Sequence, residues 1–136
     1  MFKTVLFPID QSREAREAAE VVVDIVQKYG SRLVLLSVVE PTSSDELSVE
    51  EGMASADAVA KLLQTAQSLF TQQGIQAETI EQEGKPAFVI CDVADEIGAN
   101  LIVMGCRGLG LTDEGMAESV TNRVINLSPC PVLIVP

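Results

Sequence analysis

Four glycines, Gly105, Gly108, Gly110 and Gly115, follow the apolar run Leu101 to Met104, and a helical pattern resumes at Ser119. Strand, glycine-rich loop and helix start are together the parts of a phosphate cradle. Glycines reach left-handed backbone angles and let main-chain N–H groups approach a ligand closely, while a first helical turn offers unpaired donors and the positive end of its dipole. Glu118 runs against that chemistry. It puts a carboxylate immediately before the expected helix start, where a bound phosphate would also sit.

The rest of the composition narrows the chemistry further. The 136-residue chain has no histidine, which removes the usual general base and a common metal ligand and excludes His-dependent hydrolytic triads. There is no Walker GxxxxGKS/T either. Cys91, Cys106 and Cys130 are odd in number and lack metal-ligand spacing. A formal net charge of −11 argues against a nucleic-acid surface, which needs clustered Lys or Arg. No membrane-length apolar run or secretory leader is evident, so the expected setting is soluble, reducing and cytoplasmic.

The elements that must position the glycine loop can be read in order. With 47% hydrophobic residues and 4% aromatics, the core has to be built from Val, Ile, Leu and Ala, which suits a buried parallel sheet in a single domain spanning residues 1–136. Residues 3–9 read as a strand ending at Asp10. From Ser12 to Tyr29, apolar residues recur every three or four positions and Gly30 stops the helix. Arg32 to Val39 is a strand apolar enough to be buried on both faces. The acidic stretch Glu40 to Glu51 reads as a loop over the carboxyl ends of the strands, and Gly52 to Gln73 as a second helix with Met53, Ala56, Val59, Ala60, Leu63, Ala66 and Phe70 on one side.

Ile75 to Glu81 alternates apolar and polar residues, as an edge strand does. Pro86 suits the first turn of a third helix that Gly98 closes. Leu101 to Met104, a helix from Ser119 to Leu127 and the strand Val132 to Val135 complete the chain. The β/α alternation predicts an α/β, doubly wound, five-stranded, mainly parallel sheet with helices on both faces. In the order 3-2-1-4-5, Asp10 and Gly105 close neighbouring strands and face one crevice, where such sheets bind ligands.

Pro8, Ile9 and Asp10, Val38 at the end of the second strand, LIVMG at 101–105, and Gly105, two residues, Gly108, nine residues, Glu118 and Ser119 form a recognisable series. With the closing CPVLIVP, the whole chain resembles the universal stress protein family. That resemblance implies a small stress-response regulatory protein binding an adenine nucleotide, ATP or AMP, with Mg²⁺ as a candidate counterion. It implies that Asp10 holds ribose hydroxyls, that the main chain near Val38 meets the adenine edge, and that Gly105, Gly108, Ser119, Val120 and Thr121 line the ribose and phosphates. Pro8, Ile9, Met104, Arg107 and Glu118 complete the expected site. It also implies a homodimer paired through Val132, Leu133, Ile134 and Val135, an apolar edge that a monomer would expose.

Glu118 stands where nucleotide-binding members of that family carry a third glycine. A carboxylate and a phosphate charge about 4 Å apart repel by roughly 4 kcal/mol at an effective dielectric near 20 and by about 1 kcal/mol in water. A left-handed backbone at this position would cost Glu on the order of 1 kcal/mol more. Three readings follow: a ligand with less phosphate charge, such as AMP or a cyclic dinucleotide; an outward-turned Glu118 with ATP binding intact; or a ligand-independent dimeric stress adaptor. Enzymatic turnover is not expected, with slow ATP hydrolysis or phosphotransfer the candidate activities, and neither nucleic acid nor membrane is an expected partner.

Overall fold

A computed structural model describes residues 2–9, 14–39, 60–105 and 114–135. The strands are β1 Thr4–Pro8, β2 Arg32–Val39, β3 Ala77–Glu83, β4 Leu101–Gly105 and β5 Val132–Val135. They form one five-stranded sheet in the order β3-β2-β1-β4-β5. Every neighbouring pair is parallel. The helices are α1 Glu14–Tyr29, α2 with residues 60–72 described, α3 Pro86–Ile97 and α4 Glu114–Leu127.

Right-handed crossovers fix which face each helix covers. β1 to β2 to β3 builds the sheet in one direction, and α1 and α2 pack on one face. There Val5, Phe7 and Ile9 meet Ala18, Val22 and Val26 of α1 and Leu63 and Phe70 of α2. Strand order then reverses, and α3 and α4 cover the other face, where Leu6, Val34, Leu36 and Ile102 meet Val89, Ile90, Val93 and Val124. Odd and even residues of β1 thus feed two different cores. Val5, Leu6 and Phe7 are at most 1% exposed, and burial of side chains of this size contributes about 1.5–3 kcal/mol each.

Several boundaries differ from the sequence reading, β3 for instance running on to Glu83 and β4 to Gly105. β3 starts at Ala77 instead of Ile75, because Ile75 completes the end of α2. Its N–H donates to the Phe70 carbonyl at 2.9 Å, Gly74 turns with φ 78°, and the Ile75 side chain is buried in the α1/α2 core. That is the hydrophobic contact that accompanies a left-handed helix stop. β1 is one residue shorter at each end than residues 3–9, although Ile9 still donates to the Leu36 carbonyl at 2.8 Å. Most consequentially, α4 begins at Glu114, five positions before Ser119. Gly115 costs a helix only about 1 kcal/mol against Ala, and Glu, Met and Ala around it favour helix, so the glycine does not delay the start.

The β3 to α3 turn depends on one glycine. Gly84 has φ 149°, and its N–H donates to the Val39 carbonyl at 3.0 Å. A Cβ added there would stand 2.7 Å from Cγ2 of Val89, a buried core residue. Gly84→Ala is therefore expected to lower the unfolding free energy by roughly 1–3 kcal/mol in urea denaturation. An unchanged midpoint would show that the turn relaxes freely.

Candidate functional site

The carboxyl ends of β1 and β4 meet at the reversal of strand order. Main-chain polarity there follows from the ladders, since alternate residues of a strand bond to alternate neighbours. On β2, Arg32 donates to the Lys3 carbonyl at 2.7 Å and Leu36 accepts from Ile9, so even-numbered residues face β1. Val38 faces the same way, two residues beyond Leu36, the last residue of β2 paired to β1. On β4, Ile102 donates to the Pro131 carbonyl at 3.0 Å, so even-numbered residues face β5 and Gly105 faces β1. Gly105 lies three residues beyond Ile102, where β1–β4 pairing ends.

The end of β1 is consequently flanked by main-chain N–H and C=O groups of Val38 on one side and Gly105 on the other. The surroundings are apolar. Ile9 is 6% exposed and Met104 7%, and Val38 packs partly buried against the α3/α4 core. A flat, part-apolar ligand with donors and acceptors on its edge fits such a crevice.

The structure gathers Pro8, Ile9, Val38, Met104 and Gly105 at this end of the sheet, as the sequence anticipates. Asp10, Arg107, Gly108 and Cys106 lie outside the described residues, as does the acidic stretch 40–51. The expectation for the last helix is corrected. Glu118, Ser119, Val120 and Thr121 are its fifth to eighth residues, and their N–H groups fall within the helical ladder. The unpaired donors of α4 belong to residues 114–117 instead. Val120 packs against the α3/α4 core and Thr121 is 9% exposed. A right-handed helical backbone at 118 also removes the steric cost that a left-handed glycine position would have placed on Glu118.

A second concavity escaped the sequence reading. An open groove of about 990 Å³ lies at the amino ends of β2 and β3, away from the crevice, lined by Gln27, Arg32, Gln67, Thr71 and Glu78 among others. Its polar groups hold the fold together. Gln27 Nε2 donates to the Gln73 carbonyl at 3.2 Å and Gln67 Nε2 to the Ala77 carbonyl at 2.7 Å. The Arg32 guanidinium makes a two-pronged contact with Glu78, with Nη2 to Oε1 at 2.8 Å. No spacing rule pairs two residues so distant in sequence; only the β2–β3 register brings them together.

Among the described residues no cluster of His, Cys, Asp and Glu could hold a metal ion. Cys91 and Cys130 are free thiols, and burial pushes both pKa values up, with Asp92 adding to the effect at Cys91. Ser128 Oγ donates to the Cys130 carbonyl at 2.6 Å and accepts from its N–H at 3.2 Å, tying the turn between α4 and β5.

The family model described as the universal stress protein family matches residues 1–136. The chain belongs to that family. It is 65% identical over 136 residues to universal stress protein Sll1654 of Synechocystis, an alignment covering 100% of this chain and 87% of the relative. Among solved universal stress proteins, UspA from Lactobacillus plantarum superimposes with a TM-score of 0.88 at 24% identity, covering 99% of this chain and 98% of its own, and this likeness speaks for the fold. A universal stress protein in complex with cAMP superimposes with a TM-score of 0.78 at 26% identity, covering 99% and 97%. No described helix of this universal stress protein is long and apolar enough to cross a membrane.

The Arg32–Glu78 contact at the amino end predicts a pH signature. The guanidinium, by hydrogen bond and charge, holds the Glu78 carboxyl below its usual value of 4.5. A depressed carboxylate pKa contributes stability above the unfolded value, and that contribution is lost as pH falls through the folded one. Both side chains are about half exposed, so the effect is small and screened by salt. Glu78→Gln should slightly lower the melting temperature at neutral pH, with the difference vanishing in acid and in molar salt. A deficit that persists in acid would mean lost packing instead.

Proposed function

We propose that this universal stress protein is a homodimeric regulatory protein that binds an adenine nucleotide in the crevice between the carboxyl ends of β1 and β4. The observation that carries the reading is the pair of main-chain edges, Val38 and Gly105, presented to either side of the end of β1. One edge suits the hydrogen-bonding rim of a purine and the other a ribose, with apolar surroundings supplied by Ile9 on one face of the sheet and Met104 on the other. Asp10 is assigned to the ribose hydroxyls, and Arg107, Gly108 and the start of α4 to the phosphate. The structural relative that binds cAMP supports a ligand of this class.

The reading favours one phosphate over three. Glu118 puts negative charge on α4, and a monophosphate brings less charge of the same sign to that helix than a triphosphate does. Mg²⁺ could bridge a longer chain to the acidic groups, so ATP with Mg²⁺ is the second candidate ligand. The protein acts as a binding regulator without turnover. Free thiols at Cys91 and Cys130 suit a reducing, cytoplasmic setting.

The dimer is assigned to β5, which terminates the sheet with one main-chain edge unpaired among the described residues. Leu133 is 37% exposed there, and natural proteins cover or pair such edges.

Calorimetric titration of nucleotide-stripped protein should show AMP binding more tightly than ATP, and Glu118→Gln should improve ATP affinity by at least about fivefold while moving AMP less. No heat with AMP, ATP or ATP with Mg²⁺ would leave the ligand-independent adaptor as the better reading. For the dimer, Leu133→Lys sets like charges near the twofold axis and should raise the dissociation constant by roughly tenfold or more in sedimentation equilibrium. An unchanged constant would move the interface elsewhere.

A further inference from the structure

The three seams around the nucleotide crevice are paired to different lengths. β1–β2 pairing runs from Thr4↔Arg32 to Pro8↔Leu36, and β4–β5 pairing runs from Ile102↔Val132 to Gly105↔Val135. The β1–β4 seam between them is paired only at Val5↔Leu101 and Leu6↔Ile102, although both strands continue past those residues. Neither strand ends there, so the break belongs to the seam.

Its cause can be read from the direction of the main chain. Odd-numbered residues of β1 face β2, as the bonds at Lys3 and Ile9 require. Even-numbered ones face β4: Thr4 accepts from the Asn100 N–H at 2.8 Å and donates to Asn100 Oδ1 at 3.0 Å. Leu6 makes its ladder contact, and the next residue facing β4 is Pro8. The acceptor opposite is the Val103 carbonyl, because Ile102 is turned to β5. Proline has no N–H to give it, and the ring Cδ occupies the place of the missing hydrogen. The next rung cannot form, and a methylene is driven against a carbonyl where a hydrogen bond would have drawn the strands together.

We propose that Pro8 is a positioning residue, a wedge whose ring keeps the β1–β4 seam from closing beyond Leu6↔Ile102 and so sets the width of the nucleotide crevice. This rests on the nucleotide reading above and assigns the proline a part in it. The wedge costs the fold little, because the β2 edge of Pro8 faces away from its nitrogen and the Ile9–Leu36 bond closes the other seam normally. A proline within a sheet is tolerated only where its missing donor is not needed, and an open crevice is such a place.

The test is Pro8→Ala, with Pro8→Val as a second variant should the first fold poorly, both in the full chain. Without ligand, NMR reads whether the new residue-8 amide is protected from exchange and shows a through-hydrogen-bond coupling to the Val103 carbonyl. AMP titration then reads the crevice. The expected result is a protected, coupled amide together with AMP affinity roughly tenfold weaker, about 1.4 kcal/mol. A freely exchanging amide overturns the wedge, and so does a protected amide with unchanged AMP affinity. Failure of the nucleotide reading looks different: the unsubstituted protein then takes up no AMP or ATP, while the amide of the variants still reports whether the seam has closed.

Discussion

Backbone hydrogen bonding along β1 governs the rest of the molecule. A strand in the middle of a parallel sheet is buried on both faces and needs partners on both edges, because an unpaired buried N–H or carbonyl costs free energy comparable to a lost hydrogen bond. β1 meets that demand with β2 as far as Pro8 and with β4 only as far as Leu6. Because the connection from β3 returns across the sheet to β4, α1 and α3 leave on opposite faces. The carboxyl ends of β1 and β4 are therefore left without a helix between them, and the unpaired main chain accumulates there.

The opposite end of the sheet is closed by side chains. Asn100 accepts from the Thr4 N–H, Ser31 Oγ donates to the Phe2 carbonyl, Gln67 holds the start of β3, and Arg32 reaches Glu78. Left-handed glycines at 30, 74 and 98 let each of these helices stop cleanly before the next strand enters. The side-chain bonds that hold the sheet are thus gathered at its amino end, and the unpaired main chain at the carboxyl ends of β1 and β4. The same division explains why the amino-end groove, though roomy, has its side chains engaged with the protein itself.

The fold was legible where periodicity and punctuation agree. β2 needed only its continuous apolar run, and α3 was bounded correctly by Pro86 and Gly98. The misreadings came where one residue type serves two ends. Ile75 looks like the first residue of a strand and is instead the apolar plug of a helix stop. Gly115 looks like loop and lies in the first turn of α4. For the proposed site, the positions of Val38 and Gly105 near strand ends were legible because a strand end is visible in sequence. The direction in which their main-chain groups point could not, because it depends on which bonds neighbouring strands make, and register is a property of the assembled sheet.

That distinction bears on the proposed pairing of an acidic chain with an anionic ligand. With a net charge of −11, the protein gains nothing from its overall field in attracting a phosphate. A crevice whose contacts to base and ribose are main-chain dipoles avoids that difficulty, since the neutral parts of a nucleotide can supply much of the contact area. The unfavourable field then acts mainly on the phosphates, and more strongly the more of them there are. Discrimination among adenine nucleotides follows from this electrostatics even if the base and ribose are held identically. Residue identity then matters most where it alters the backbone itself, as the missing N–H of Pro8 does at the β1–β4 seam.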